Sequence, residues 1–349
     1  METAGQQVIN LLNIAKTADI PEELREKVIA RLQQLTALID SPTFLPELDR
    51  LAKYVEWITN IPWEKRTQDN LDLGHAKEVL DKHHYGLNQI KDRLMEYISI
   101  MKLNSEKGDK KVVAHAPILC FVGLVGTGKT TISKSIAEAL GRKFARIPFG
   151  GMGSPLDLRG QSKAQPEAEP GKVIKALRDT QSRNPVILLD EIDRVTDEGR
   201  ASIMGVLVEL LDPEQNDSFV DHYLDFPVNL SETLFIATAN NTIHIATAVL
   251  DRLEPIMMPS YSDLEKITIG KEYMLPKVLK ESGINEGLIT ISEDAWSHIV
   301  RPLGFDAGMR TLERTIEGMV RKVAKMVVEG KTDKIVITPE NSKEYLPDY

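Results

Sequence analysis

The chain has 349 residues, 42% hydrophobic and 27% charged, an ordinary balance for a globular protein. Its formal net charge of −9 argues against a dedicated nucleic-acid binder or a protein that coats acidic membranes. The single cysteine, Cys120, excludes an internal disulfide and suits a reducing cytoplasm, and no apolar run approaches the roughly 18 residues of a membrane span.

The first 80 residues read as a helical arm. Pro21-Glu22-Glu23 is a helix-start signal, with proline at an early position and acids in the first turn. Leu24, Val28, Leu32, Leu35 and Ile39 then keep roughly helical spacing, and Ser41-Pro42 ends that helix. The pattern is short for a coiled coil, so the favoured reading is an arm packed on the main body; a coiled-coil element that contacts neighbours or substrates is the other. Trp57 and Trp63 flank a proline-broken helix end and read as packing anchors. A second helical region runs from Leu80 to Leu103, interrupted near His84-Tyr85-Gly86-Leu87. The charged stretch 105–111 reads as a solvated loop.

From 117 to about 260, short apolar runs alternate with helical patterns. The runs are Ile118–Val122, Phe144–Ile147, Val186–Leu189, Leu234–Ala239 and Pro255–Met258. This alternation predicts an α/β fold with a parallel sheet covered on both faces. Ligands on such sheets bind beyond the carboxyl ends of the strands.

The first run leads into Gly123, Leu124, Val125, Gly126, Thr127, Gly128, Lys129, Thr130 and Thr131. Gly123, Gly128, Lys129 and Thr130 fit G-x-x-x-x-G-K-[ST], the phosphate-binding loop. Glycines let backbone N–H groups curl around phosphate oxygens, and the following helix points its positive end at the same anion. Lys129 supplies a point charge for the terminal phosphates, and Thr130 a hydroxyl for Mg²⁺. Ile132, Ile136 and Leu140 predict one apolar helix face, which Gly141 is placed to end.

The third run ends in Asp190 and Glu191. Asp190 can reach a Mg²⁺ shell, and Glu191 can orient and deprotonate an attacking water. Asp193 reads as a salt-bridge or interface residue. The fourth run ends in Asn240, whose amide could bond the attacking water or the γ-phosphate; on spacing alone an ordinary turn asparagine is an equal reading. From 261 onward the pattern is mainly helical, with extended pieces at Leu288–Ile291 and Lys334–Thr338. The turn-forming cluster Pro259-Ser260-Tyr261-Ser262 marks a boundary before it.

Taken together, these motifs resemble the AAA+ ATPases, and further stretches resemble the Lon-type proteases. Those stretches include Lys82-His83-His84-Tyr85-Gly86-Leu87, Pro117-Ile118-Leu119-Cys120, Leu211-Asp212-Pro213-Glu214-Gln215-Asn216, His222-Tyr223-Leu224, Leu250-Asp251-Arg252-Leu253-Glu254 and Ala307-Gly308-Met309-Arg310. The likeness runs from about residue 20 to the C-terminus. It implies a helical arm over 1–80, an AAA+ α/β nucleotide-binding domain over 81–260 and a helical lid over 261–349. It further implies that ATP binds with Mg²⁺ between the last two. By the same resemblance Asn240 is sensor 1, Arg252 an arginine finger for a neighbouring subunit's nucleotide, and Arg310 sensor 2. Tyr85 and Leu87 would pack near the adenine. The implied assembly is a homo-oligomeric ring, hexameric, that threads protein substrates for ATP-dependent proteolysis and quality control. A nucleotide-gated assembly or chaperone module without threading is the alternative. A clamp-loader or initiator relative is disfavoured by the net charge.

Three departures from that family stand out. The sequence stops at Pro347-Asp348-Tyr349, where a Lon protease domain would begin, and neither a serine–lysine dyad nor the large N-terminal substrate domain is readable. Gln165 and Pro166 stand where an aromatic–aliphatic pair would grip substrate, which predicts ATP hydrolysis with a weak pull. Leu124-Val125 replaces the usual proline pair of the phosphate loop, a change that mostly backbone contacts should tolerate.

Overall fold

The computed structural model describes residues 4–106, 118–301, 308–330 and 334–347. Pro117, Ala307, Asp348, Tyr349 and all of the charged stretch beyond Glu106 therefore lie outside the described residues. In chain order the strands are β1 (Ile118–Val122), β2 (Phe144–Pro148), β3 (Val186–Asp190), β4 (Phe219–Asp221), β5 (Phe226–Val228), β6 (Leu234–Ala239), β7 (Leu253–Met257), β8 (Ile289–Ile291) and β9 (Ile335–Ile337). The five apolar runs pair into one sheet of order β2-β3-β6-β1-β7, and every pairing in it is parallel. The sheet's α/β character and the strand positions agree with the sequence pattern.

Each strand sends alternate side chains to opposite faces, and both faces are covered. Leu119, Phe121, Val186, Leu188, Leu234 and Ile236 point into one core. There they meet α4 (Leu73–His83), α5 (Asn88–Glu106) and α6 (Lys129–Ala139), which follow the arm helices α1 (Ala4–Thr17), α2 (Glu22–Thr36) and α3 (Phe44–Asn60). Cys120, Val122, Ile187, Leu189, Phe235 and Ala237 point into the other core. Next in sequence come α7 (Leu156–Arg159), α8 (Lys172–Thr180), α9 (Arg200–Leu210) and α10 (Thr247–Leu250). Helices α8 and α9 cover this second face, and Leu24, Val28, Leu32, Tyr54 and Ile58 of the arm join the same apolar cluster.

The arm is thus packed on the main body. Tyr54 donates from its hydroxyl to Leu224 O at 2.7 Å, and the Trp63 ring meets Phe226 edge-on at 5.8 Å. Trp57 lies under the Arg178 guanidinium at 3.9 Å, so both tryptophans are packing anchors. Helix α2 stops at Thr36, five residues short of Ser41, and Ile39 is exposed in the turn that follows. The chain turns back there so that Phe44 and Leu48 can close a small cluster with Val8 and Leu35.

The remaining helices are α11 (Asp263–Ile269), α12 (Leu275–Glu281), α13 (Trp296–Val300), α14 (Arg310–Val328) and α15 (Ser342–Tyr345). They surround a separate core built on Trp296, Leu312, Ile316 and Val320. Ser262 starts α11 with a capping box that Glu265 closes. A wide π-type turn at Gly270–Met274 joins α11 to α12. Glycine is required in it, since a Cβ on Gly270 would sit 2.8 Å from the Trp296 ring. Among the described residues no helix is long and apolar enough to cross a membrane.

Phe121 is fully buried at the centre of the first core. Phe121→Ala is expected to lower unfolding stability by about 3–5 kcal/mol in urea titrations followed by circular dichroism.

Candidate functional site

The strand order brings the carboxyl ends of β1, β6 and β3 side by side. The loop leaving β1 turns through Gly126 and Gly128, whose φ values of +85° and +93° exclude most other residues, and α6 starts at Lys129. Gly123 donates its N–H to Ala239 O at 3.1 Å, so the loop is anchored to the end of β6. A cleft of about 330 Å³ opens between this loop, the strand ends and the lid helices. Val125, Gly126, Gly128, Lys129, Thr130, Thr131, Asp190, Glu191, Tyr85 and Arg310 line it.

The other residues expected at the site stand elsewhere. Gly123, Leu124 and Thr127 shape the loop from behind, and the Thr127 hydroxyl bonds Leu124 O at 2.9 Å. Asn240 lies behind the lysine: Lys129 Nζ donates to Asn240 Oδ1 at 3.2 Å, to Gly123 O at 2.5 Å and to Leu124 O at 2.9 Å. Burial lowers the Lys129 pKa, while Glu191 and Asp190 pull it back up. Leu87 takes a left-handed backbone with φ +54° and packs against the core beneath α4–α6 instead of lining the cleft. Arg252 does not line this chain's cleft and pairs with Asp212 at 2.7 Å. Asp193 is buried and accepts the Asn241 N–H at 3.4 Å; among the described residues it makes no ion pair.

The two acids at the end of β3 are held by one hydroxyl. Thr238 Oγ1 donates to Asp190 Oδ1 and accepts the Glu191 N–H at 2.9 Å. Glu191 sits at φ +58°, a sparsely populated conformation for a side chain of its size, and this corner turns it into the cleft. The other oxygen of Asp190 takes Arg146 Nε and Nη2, both at 2.6 Å. Sequence reasoning missed Arg146. The signal was there: a guanidinium inside the otherwise apolar run of β2, beside the strand that ends in acids.

The lid closes one wall through its backbone. Met309 N donates to Gly126 O at 3.0 Å, and a Cβ on Gly308 would come within 2.4 Å of Val125 O. Only glycine lets the start of α14 approach the phosphate loop so closely, and that approach puts Arg310 in the cleft. Tyr273, from the π-type turn, meets Tyr85 at 6.5 Å with the rings inclined by 62°. The neighbouring His84 bonds Ser135 Oγ of α6 at 2.9 Å. Burial and the nearby charges of His83 and Lys91 push its pKa down to about 4.

This donor set fits a nucleotide phosphate chain with one divalent cation. Backbone N–H groups, a helix N-terminus and Lys129 suit the phosphates. Thr130 and the buried Asp190 would hold Mg²⁺ by few protein oxygens, leaving the rest of its shell to phosphate and water. Away from the cleft, Gln165 and Pro166 sit in an exposed loop between α7 and α8. Buried Asp221 accepts the Gly171 N–H at 2.7 Å and so pins the base of that loop to the β4–β5 hairpin.

Comparison with known families gives two matches. Residues 119–261 match the model of the ATPase family associated with various cellular activities, and residues 280–336 match the Lon protease AAA+ ATPase lid domain. The chain carries an AAA ATPase domain followed by a Lon-type lid. It is 41% identical over 344 residues to a Lon protease of Lawsonia intracellularis, covering 98% of this chain and 40% of that protein. It is 39% identical over 350 residues to Lon protease 2 of Thermus thermophilus, covering 99% and 43%. The chain thus spans about two-fifths of the length of these relatives and corresponds to their ATPase region. An AAA domain implies nucleotide binding, and in this Lon-type region the cleft beside Lys129 is where the donors converge.

His84 gives this region a pH dependence. Between pH 6.5 and about 4 the unfolded chain protonates this histidine while the fold keeps it neutral. Its contribution is fully present above pH 6.5 and falls as the pH drops towards 4. His84→Gln is expected to flatten that part of the profile of urea midpoint against pH.

Proposed function

We propose that the chain is the ATP-hydrolysing motor segment of a Lon-like protease, built as an arm (1–80), a nucleotide-binding unit (81–260) and a lid (261–349). The observation that carries this reading is the convergence of Lys129, Asp190 and Glu191 in one cleft, with Asn240 directly behind the lysine. Backbone N–H groups of 124–131 and the start of α6 hold the phosphates of ATP, and Lys129 turns from its loop carbonyls to the terminal ones. Bound Mg²⁺ would neutralise phosphate charge. Glu191 accepts a proton from the attacking water, whose oxygen bonds to the γ-phosphorus as the bond to the ADP oxygen breaks. Asn240 orients that water through its amide. Arg310 reports the nucleotide to the lid, and Tyr85 packs on the base.

Arg252 lies outside its own cleft, which suits a guanidinium that completes the site of a second copy. A homo-oligomeric ring in the cytoplasm, hexameric as the family resemblance implies, would then thread protein substrates. A second reading keeps the ATPase and drops the threading: the exposed tip carries polar Gln165 with Pro166, which favours a nucleotide-gated assembly module.

Two variants test the core of the proposal. Lys129→Ala is expected to lose most ATP affinity in a fluorescent-nucleotide titration. Glu191→Gln is expected to keep that affinity and to lose turnover by about 10²–10⁴-fold, the usual scale for a general base. Turnover by Glu191→Gln at the parental rate would overturn the assignment.

A further inference from the structure

The segment Asp212-Pro213-Glu214-Gln215-Asn216 follows α9 and does not line the cleft. Its first residue holds Arg252. Arg252 Nη2 donates to Asp212 Oδ2 at 2.7 Å, and Nη1 donates to Ala248 O, one turn back on α10, also at 2.7 Å. The carboxylate is itself held. Its Oδ1 accepts the Glu214 N–H at 3.0 Å, and Oδ2 accepts from Gln215 Nε2 at 3.1 Å. The backbone is pinned as well, since Asn216 N and Gln215 N both donate to Asp212 O, at 2.9 and 3.1 Å. Asn216 is buried and its carbonyl takes the Leu230 N–H at 2.9 Å. The turn is therefore a rigid socket, and its carboxylate is placed by contacts that do not involve the arginine.

A guanidinium carries five N–H donors in a flat fork. Two of its nitrogens are held, one by the socket and one by Ala248 O of α10, and the pair is part-exposed, with side-chain exposures of 27% for Arg252 and 16% for Asp212. The remaining donors are left for another molecule. A free arginine side chain loses rotamer freedom when it is immobilised. A socket that immobilises it beforehand removes that cost from the reaction in the neighbouring site.

We propose that Asp212 is a positioning residue that presents Arg252 to the nucleotide phosphates held by a second copy of this chain. This rests on the reading of Arg252 as a residue acting across the ring. Asp212 does not touch nucleotide, so its loss acts on the neighbour's turnover and leaves its own chain's nucleotide binding intact.

The test uses the full chain. Asp212→Asn keeps an oxygen for the Glu214 N–H but puts a donor where Arg252 needs an acceptor; Asp212→Ala is the second variant. Both are expected to lower kcat at least tenfold with KM and fluorescent-ATP affinity within twofold of the parent and an unchanged melting temperature. Neither D212N nor E191Q turns over well alone, yet their mixture should. D212N brings an intact cleft and E191Q an intact arginine, and random mixing makes about one interface in four competent. A mixture of R252A with E191Q is the control for the arginine itself. If R252A plus E191Q recovers turnover and D212N plus E191Q does not, Asp212 has no role in presentation and the proposal falls alone. If neither mixture recovers, or if parental turnover per chain does not rise with protein concentration, the trans reading of Arg252 falls and takes the proposal with it. Parental kcat in D212N and D212A would also overturn it.

Discussion

The hydroxyl of Thr238 ties the middle of the sheet to both acids of the cleft. It donates to the Asp190 carboxylate and accepts the Glu191 N–H, and it is fully buried. It can do so because β6 lies between β1 and β3. The strand that carries the acids and the strand that carries the phosphate loop are therefore not adjacent. They are spaced one strand apart, and the end of β6 fills the gap with Thr238, Ala239 and Asn240. That spacing gives each group a neighbour on β6 to be held by.

Lys129 and Asp190 each have hydrogen-bond partners within the chain. Lys129 is bound by two carbonyls and an amide oxygen, and Asp190 by Thr238 and Arg146. A buried carboxylate without such partners would be costly to keep ionised. The same logic accounts for Asp221, which lies away from the cleft. It is fully buried and accepts three backbone N–H groups, from Gly171, Tyr223 and Leu224. Burial pushes its pKa up and those hydrogen bonds pull it down. Its work is mechanical: it ties the base of the exposed Gln165 loop to the β4–β5 hairpin. The lid reaches the phosphate loop by a different device, backbone against backbone at Gly126 and Gly308. The Tyr261 hydroxyl adds a side-chain contact, donating to Thr127 O of the same loop at 3.4 Å.

Much of this was legible in the residues themselves. The five strands follow from apolar runs of strand length that alternate with helical patterns, because a strand buried on both faces has no polar side to show. The phosphate loop and the acid pair could be read because each depends on local backbone chemistry: glycines that turn, a helix start and acids at a strand end. Leu87 was paired with Tyr85 only through the family resemblance, which implies that both lie near the adenine. Its left-handed backbone instead turns it into the core, and no spacing rule reveals that turn. The short hairpin β4–β5 was also not read, because two three-residue strands carry too little periodicity to register.

Sequence alone picked out the five strands of the main sheet, the motif residues Lys129, Thr130, Asp190 and Glu191, and the family likeness, because all of these reside in contiguous residues and their spacing. The tertiary structure decided which distant residues meet. It set Arg146 on Asp190 across 44 positions, Lys129 against Asn240 across 111, and Arg252 on Asp212 across 40. It also put Tyr273 opposite Tyr85 through a π-type turn that nothing in the local pattern announces. Contacts of this kind depend on strand order and helix docking, which are settled by how the whole chain buries its apolar surface. That is why residues of the cleft could be picked out from short stretches while the partners of its charges could not.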